Sequence, residues 1–181
     1  MDSTTIVELL RPLVPNEGLE AAPSVDFAAI YVPAERLVDT CLMLRDTESL
    51  RFDLLAEITA VDYFPRQPRY EVVYHLVSIS HRRRLRLKVR VPDEGSVPTV
   101  RSLWPAAGWL EREVWDLFGI VFDGHGDLRR ILMPEDWEGH PLRKDYPVQI
   151  RKTPQTYAPL EVSEQEFRTN LERDRAVRGT S

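Results

Sequence analysis

Two histidines, His125 and His140, lie among Asp123, Asp127 and Glu138 in residues 111–147 of a 181-residue chain, a stretch dense in charge, aromatics, Gly and Pro. Imidazole and carboxylate are common zinc ligands and general bases, so the set invites a metal centre or a hydrolytic base as one reading. The spacing argues against it. Each His sits in its own Gly turn, and no His-x-x-x-His pair lies on a helix face. Upstream, Glu111, Glu113 and Asp116 suggest a paired-carboxylate site. Glu111 and Glu113 point about 200° apart on a helix and cannot converge on one bond, because only neighbours at i+3 and i+4 face each other. Ion pairing with a partner's Arg or Lys is the better reading. The chain has no glycine-rich phosphate loop and no phosphate-loop Lys, so no nucleotide site is visible.

Three elements must position these groups. The first is a helix in which Leu110, Val114, Leu117 and Phe118 recur at i, i+4, i+7 and i+8 as one buried stripe, stopped by Gly119. Its other face carries Glu111, Arg112, Glu113 and Asp116. Arg112 and Asp116 are placed to pair, but an exposed pair in this order gives only about 0.3–0.5 kcal/mol, too little to explain that face. Next comes a short strand, Ile120-Val121-Phe122, the turn Asp123-Gly124-His125-Gly126, and strand-like residues in Leu128, Ile131, Leu132 and Met133. The third piece, residues 135–147, is too punctuated by Gly and Pro for a helix and too charged to be buried in its own domain. It reads as an extended, docked arm.

The runs Glu111-Arg112-Glu113-x-x-Asp116-x-Phe118-Gly119-Ile120, Gly124-His125-x-Asp127-Leu128-Arg129-Arg130-Ile131-Leu132 and Trp137-Glu138-Gly139-His140-Pro141-Leu142-Arg143-Lys144-Asp145-Tyr146-Pro147 together resemble the C-type subunit of the proton-pumping NADH-quinone oxidoreductase, respiratory complex I. Gly126 stands where that family usually has Pro, which loosens the turn. The resemblance implies an accessory subunit of the hydrophilic peripheral arm, without catalytic, cofactor-binding or metal-binding residues of its own. FMN, iron-sulfur clusters, NADH and quinone would be held by other subunits. It further implies docking chiefly to the D-type subunit, beside iron-sulfur subunits B and I, at the cytoplasmic face of the cell membrane. The docking surface expected is Glu111, Arg112, Glu113, Asp116, His125, Asp127, Arg129, Arg130, Trp137, His140, Arg143, Lys144, Asp145 and Tyr146. The equivalent subunit of a membrane-bound hydrogenase or ferredoxin-dependent complex is the alternative within this class. Outside it stands a metal hydrolase using His125 and His140.

The rest of the chain reads as ordinary domain sequence. Its length suits one domain with an appendage, and 43% hydrophobic residues suffice for a core. The net charge of −5 makes it no generic polyanion binder. The single Cys41 builds neither a disulfide framework nor an iron-sulfur site and reads as a small core residue. No apolar run approaches the roughly 20 residues of a membrane span, and no signal peptide is evident, so any membrane association is expected through partners.

In order, a helix is expected over residues 5–14, a strand over 27–32, a helix from Pro33 to about Arg45 and a strand from about Phe52 to Phe64, with Asp62 at its end or on an exposed face. Residues 70–80 and 84–91 read as a hairpin around His81-Arg82-Arg83. In its second strand Arg84, Arg86, Lys88 and Arg90 alternate with Leu85, Leu87, Val89 and Val91, which puts the cations on one face. Those cations suit a solvated surface, an acidic protein surface, or RNA with Tyr70, Tyr74 or Phe64 stacking on bases. The acidic overall balance decides against RNA. A short helix over 98–103 precedes the long one over 106–118. The fold class expected is α+β, a mainly antiparallel sheet with helices packed on one face (residues 1–140), followed by an extended, Pro-punctuated arm (141–181) with a possible charged helix over 163–178.

Overall fold

A computed structural model describes residues 2–11, 18–147 and 163–178. The chain falls into two units, Met1–Tyr146 and Pro147–Ser181. The first contains helix α1 (Ser3–Leu10), strands β1 (Glu20–Ala21) and β2 (Ala29–Tyr31), helix α2 (Leu37–Asp46), strands β3 (Leu54–Asp62), β4 (Tyr70–Ser78), β5 (Arg83–Val91) and β6 (Ser96–Pro98), helix α3 (Ala107–Phe118) and strand β7 (Val121–Asp123). The second contains the helix α4 (Glu164–Arg178).

The sheet follows from the alternation read in β5. Leu85, Leu87, Val89 and Val91 are fully buried and join Leu76, Tyr74, Val72 and Tyr70 of β4 in one core with α1, α2 and α3. Strand order is β1-β2-β5-β4-β3, antiparallel throughout except for the parallel pair β2–β5. The mainly antiparallel α+β sheet expected from the sequence is therefore present. The opposite face carries Arg84, Arg86, Lys88 and Arg90, the last three lying directly across from His75, Val73 and Glu71. Tyr70 and Tyr74 are buried on the helix side, so they are not the exposed stacking rings considered above.

Residues 98–103 are not a helix. Ser96–Pro98 instead forms β6, a turn follows, and α3 crosses over to β7, which pairs with β6 in parallel through Val97 and Phe122. This is a small strand-helix-strand unit, and the crossover is what parallel pairing requires. A three-residue strand ending in Pro gives almost no periodic signal. Nor do residues 128–133 form a strand; they wrap an acidic side chain described below.

In the second unit, α4 is the charged helix expected over 163–178, opened by Ser163, whose hydroxyl and backbone N–H exchange hydrogen bonds with Glu166 as a capping box. Phe167 and Leu171, four residues apart, are its exposed apolar pair. The end of the first expected helix at residues 12–14 and the Pro-spaced arm over 148–162 lie outside the described residues.

Candidate functional site

Helix α3 buries charged residues as well as its apolar stripe, and that changes the reading of its charges. The apolar stripe is present, with Val114 and Phe118 buried and Leu110 and Leu117 half-buried. Gly119 terminates the helix at a positive φ of 81°. Glu111, Arg112 and Asp116, expected on an exposed face, are buried too: residues 129–140 fold back over Arg112 and Asp116, and the turn after β6 meets Glu111. They and His125 are thus buried within this chain rather than set on the exposed face expected of them.

Each buried group has a defined task. The Asp116 carboxylate accepts the backbone N–H groups of Ile131, Leu132 and Met133 at 3.0, 2.8 and 2.9 Å, and the Arg130 guanidinium at 2.7 Å. Arg130 also donates to the carbonyls of Trp137 and Gly139. Arg112 does not pair with Asp116; it donates to the carbonyls of Arg129 and Arg130 and lies 5.1 Å from the Trp109 ring. Glu111 accepts from the Thr99 hydroxyl and the Val100 N–H, tying α3 to the turn after β6. Burial pushes its carboxyl above the ordinary range despite those bonds.

The histidines are structural in the same sense. His125 Nε2 donates to the Gly108 carbonyl at 2.9 Å, and its Nδ1 accepts the Asp127 N–H at 3.2 Å, so both ring nitrogens are occupied by backbone. His140 Nδ1 donates to the Asp116 carbonyl at 2.9 Å, and its ring lies edge-on to Trp115. The same ring leaves no room for a Cβ at Gly119, which would stand 2.6 Å from His140 Cδ2. Among the described residues, no three His, Cys, Asp or Glu side chains are placed to hold a metal ion.

A second node centres on Arg69, which lies outside the expected site, and draws in Asp145 from within it. Arg69 is almost fully buried and bonds three carboxylates: Asp62 at 2.9 Å, Asp93 at 2.9 Å and Asp145 at 2.6 Å. It thereby joins the end of β3, the turn after β5 and the segment 141–146. Asp62 also accepts the Lys144 N–H at 2.8 Å and the Phe64 N–H at 2.9 Å. Leu142 N–H donates to the Leu117 carbonyl, Arg143 pairs with Asp93, and the Tyr146 hydroxyl donates to the Glu138 carbonyl. Residues 141–146 consequently belong with the sheet, and the unit boundary falls after Tyr146 rather than before Pro141. A lone Arg after a Pro-rich turn and an Asp at a strand end were the available signals, but nothing in a linear chain links positions 62, 69, 93 and 145.

These two nodes fix an acid response. Burial pushes the Asp62 carboxyl up, but hydrogen bonds from Arg69, Lys144 and Phe64 outweigh it and hold the group at about 2. Asp116 is likewise held at about 2, burial being outweighed by Met133, Ile131, Arg130 and Leu132. Both lie below the value of roughly 3.9 in an unfolded chain, so their contribution is full above that value and is lost as pH falls through the folded pKa. Each contributes roughly 2–3 kcal/mol near neutrality. Glu111, shifted upward, has the opposite sign and offsets part of this. Urea melts are expected to give similar midpoints from about pH 6 to 8 and a steep fall below about pH 4; a midpoint unchanged between pH 5 and 3 would refute the assignment.

What this scaffold leaves outside is specific. Trp109 is 62% exposed and Leu132 59%, with Ile131 and Leu142 also open. Of the polar and aromatic residues expected at the docking surface, Asp127, Arg129, Lys144 and Asp145 are exposed, and Glu113, Arg130, Trp137, His140, Arg143 and Tyr146 are half-buried. Trp109 and Leu132 escaped the sequence reading because a lone Trp on a helix and a Leu in a strand-like run both look like core.

Residues 30–152 match the family model described as respiratory-chain NADH dehydrogenase, 30 Kd subunit. A relative from Roseiflexus sp. (strain RS-1), named as the C-type subunit of NADH-quinone oxidoreductase, is 50% identical over 149 residues, which is 82% of this chain and 86% of that one. Another with the same name, from Geobacter sulfurreducens, is 55% identical over 122 residues, 66% of this chain and 74% of the other. Among solved structures, a chain in the membrane-bound sulfane sulfur reductase, an archaeal respiratory membrane complex, matches with TM-score 0.67 at 30% identity, over 80% of this chain and 85% of that one. With the motif stretch, the sheet and these relatives in agreement, the chain belongs to the 30 Kd subunit family of respiratory-chain NADH dehydrogenase, that of the C-type subunit of NADH-quinone oxidoreductase.

Proposed function

We propose that this chain is a non-catalytic bracing subunit in the peripheral arm of a proton-translocating NADH-quinone oxidoreductase, and that it holds the D-type quinone-site subunit in position beside iron-sulfur subunits B and I. It carries no redox centre; FMN, iron-sulfur clusters, NADH and quinone belong to the other subunits. The observation that carries this reading is how the charges within residues 111–147, and Arg69 beside them, are used. Asp116, Arg112, Arg130 and Arg69 all bond within the chain and hold one surface segment in shape. Residues whose types suit chemistry serve geometry, and electron transfer between subunits depends on fixed separations.

No helix among the described residues is long and apolar enough to cross a membrane, in keeping with peripheral attachment at the cytoplasmic face through the complex. A second reading, the equivalent subunit of a related membrane reductase or hydrogenase, is supported by the sulfane sulfur reductase match. The higher identity to C-type subunits of NADH-quinone oxidoreductase favours the first.

The test is recovery of the tagged full chain from its native membranes, with co-purifying subunits identified by mass spectrometry and NADH-quinone activity assayed. The expected result is a D-type subunit with iron-sulfur partners. The double variant Trp109→Ala/Leu132→Ala, which truncates two exposed side chains, is expected to lower that recovery by ~10-fold or more while leaving the isolated chain's melting temperature within a few degrees. Full recovery with the double variant would remove this surface from the docking site, and reductase activity without NADH oxidation would favour the second reading.

A further inference from the structure

Where β2 ends and the loop before β4 folds over the outer sheet face, a recess of about 300 Å³ is lined by Tyr31, Tyr63, Arg66, Gln67, Glu71 and Arg90 among others. None of these residues belongs to the surface proposed for docking above. The charges around the recess are unequal. Of the outward cations on β5, Arg86 pairs with Asp26 at 3.1 Å and Lys88 with Glu71 at 2.9 Å, so the acid nearest the recess is already neutralised and almost buried. Arg66 and Arg90 are exposed and make no ion pair among the described residues. The Arg90 guanidinium lies 3.7 Å over the Tyr31 ring, which holds its planar fork in place while leaving its donors unspent.

We propose that this recess is a second protein-binding site, which accepts a Glu or Asp side chain from an acidic segment of a neighbouring polypeptide between Arg66 and Arg90. The volume admits one side chain and its flanking backbone rather than a folded domain. Two guanidinium groups with free donors suit a carboxylate, which takes two parallel N–H bonds from one fork. The charge balance is local, since the chain as a whole carries −5. Stacked bases are a poorer fit: the face of Tyr31 is occupied by Arg90, and Tyr70 and Tyr74 are buried.

The experiment titrates the isotopically labelled full chain with acetyl-hexaglutamate amide and follows backbone amide shifts by NMR, with hexalysine and a short oligouridylate in parallel. Saturable shifts confined to residues 63–71 and 88–91 are expected from the glutamate peptide and none from hexalysine. Arg66→Ala/Arg90→Ala is expected to weaken the peptide roughly tenfold, because two exposed charge contacts each contribute a few-fold. Arg84→Ala, outside the recess, is the control and leaves binding unchanged. Shifts spread over all exposed cations, equal binding by the double variant, or tighter binding of the oligouridylate would overturn the proposal, the last in favour of nucleic acid.

Discussion

Replacing Arg69 by Leu is expected to lower the unfolding free energy by about 3–5 kcal/mol, among the largest effects of any single substitution in this chain. Asp62 is buried and would keep only the N–H groups of Phe64 and Lys144, while Asp93 and Asp145 would face it without the cation between them. An unpaired buried carboxylate is the costly case, far costlier than removing both partners. The added change Asp62→Asn should therefore restore part of the loss. For a folded unit near 150 residues the shift corresponds to a fall of about 10 °C in melting temperature, readable by circular dichroism. Arg69→Lys is not conservative, since a single ammonium cannot supply the fork that meets three carboxylates. A loss under about 1 kcal/mol for Arg69→Leu would mean the node is cosmetic.

The second large effect is at Asp116. Asp116→Ala removes the acceptor of three consecutive backbone N–H groups and of Arg130, at an expected cost of about 3 kcal/mol. The damage should be local first. Hydrogen exchange at the amides of Ile131, Leu132 and Met133 is expected to quicken more than exchange in β4 or β5. Asp116→Asn keeps an oxygen for the three amides but sets an NH2 against Arg130, so about half the loss is expected. Because Leu132 is positioned by this carboxylate, Asp116→Ala should also reduce assembly without touching a partner. Protection at those three amides equal to wild type in the Ala variant would refute the role.

Much of the fold was legible because it obeys short-range rules. The β4–β5 hairpin, the alternating cations of β5, the α3 stripe and its Gly119 stop all announce themselves within a dozen residues. The motif stretch was legible as a family resemblance, and the divergence of Glu111 from Glu113 was legible from helix geometry; the first is buried and the second half-exposed. The side of α3 carrying Asp116 and Arg112 was misread as solvent-facing because helical periodicity reports polarity, not cover. Residues 129–140 supply that cover with their own N–H and C=O groups, and a backbone donor leaves no trace in the amino-acid alphabet. Strand β6 and the Arg69 node were missed for related reasons, one too short to repeat and the other assembled from positions up to 82 residues apart in pairwise bonds.

The three amides gathered on Asp116 also set when the entropy of ordering is lost. Fixing a residue's backbone costs about 1–2 kcal/mol, and a surface loop that orders only on contact charges that cost to the association itself. Here an internal anion draws residues 131–133 into shape during folding. Association would then proceed as rigid-body docking, with a calorimetric heat-capacity change set by buried area alone and no added term from coupled folding.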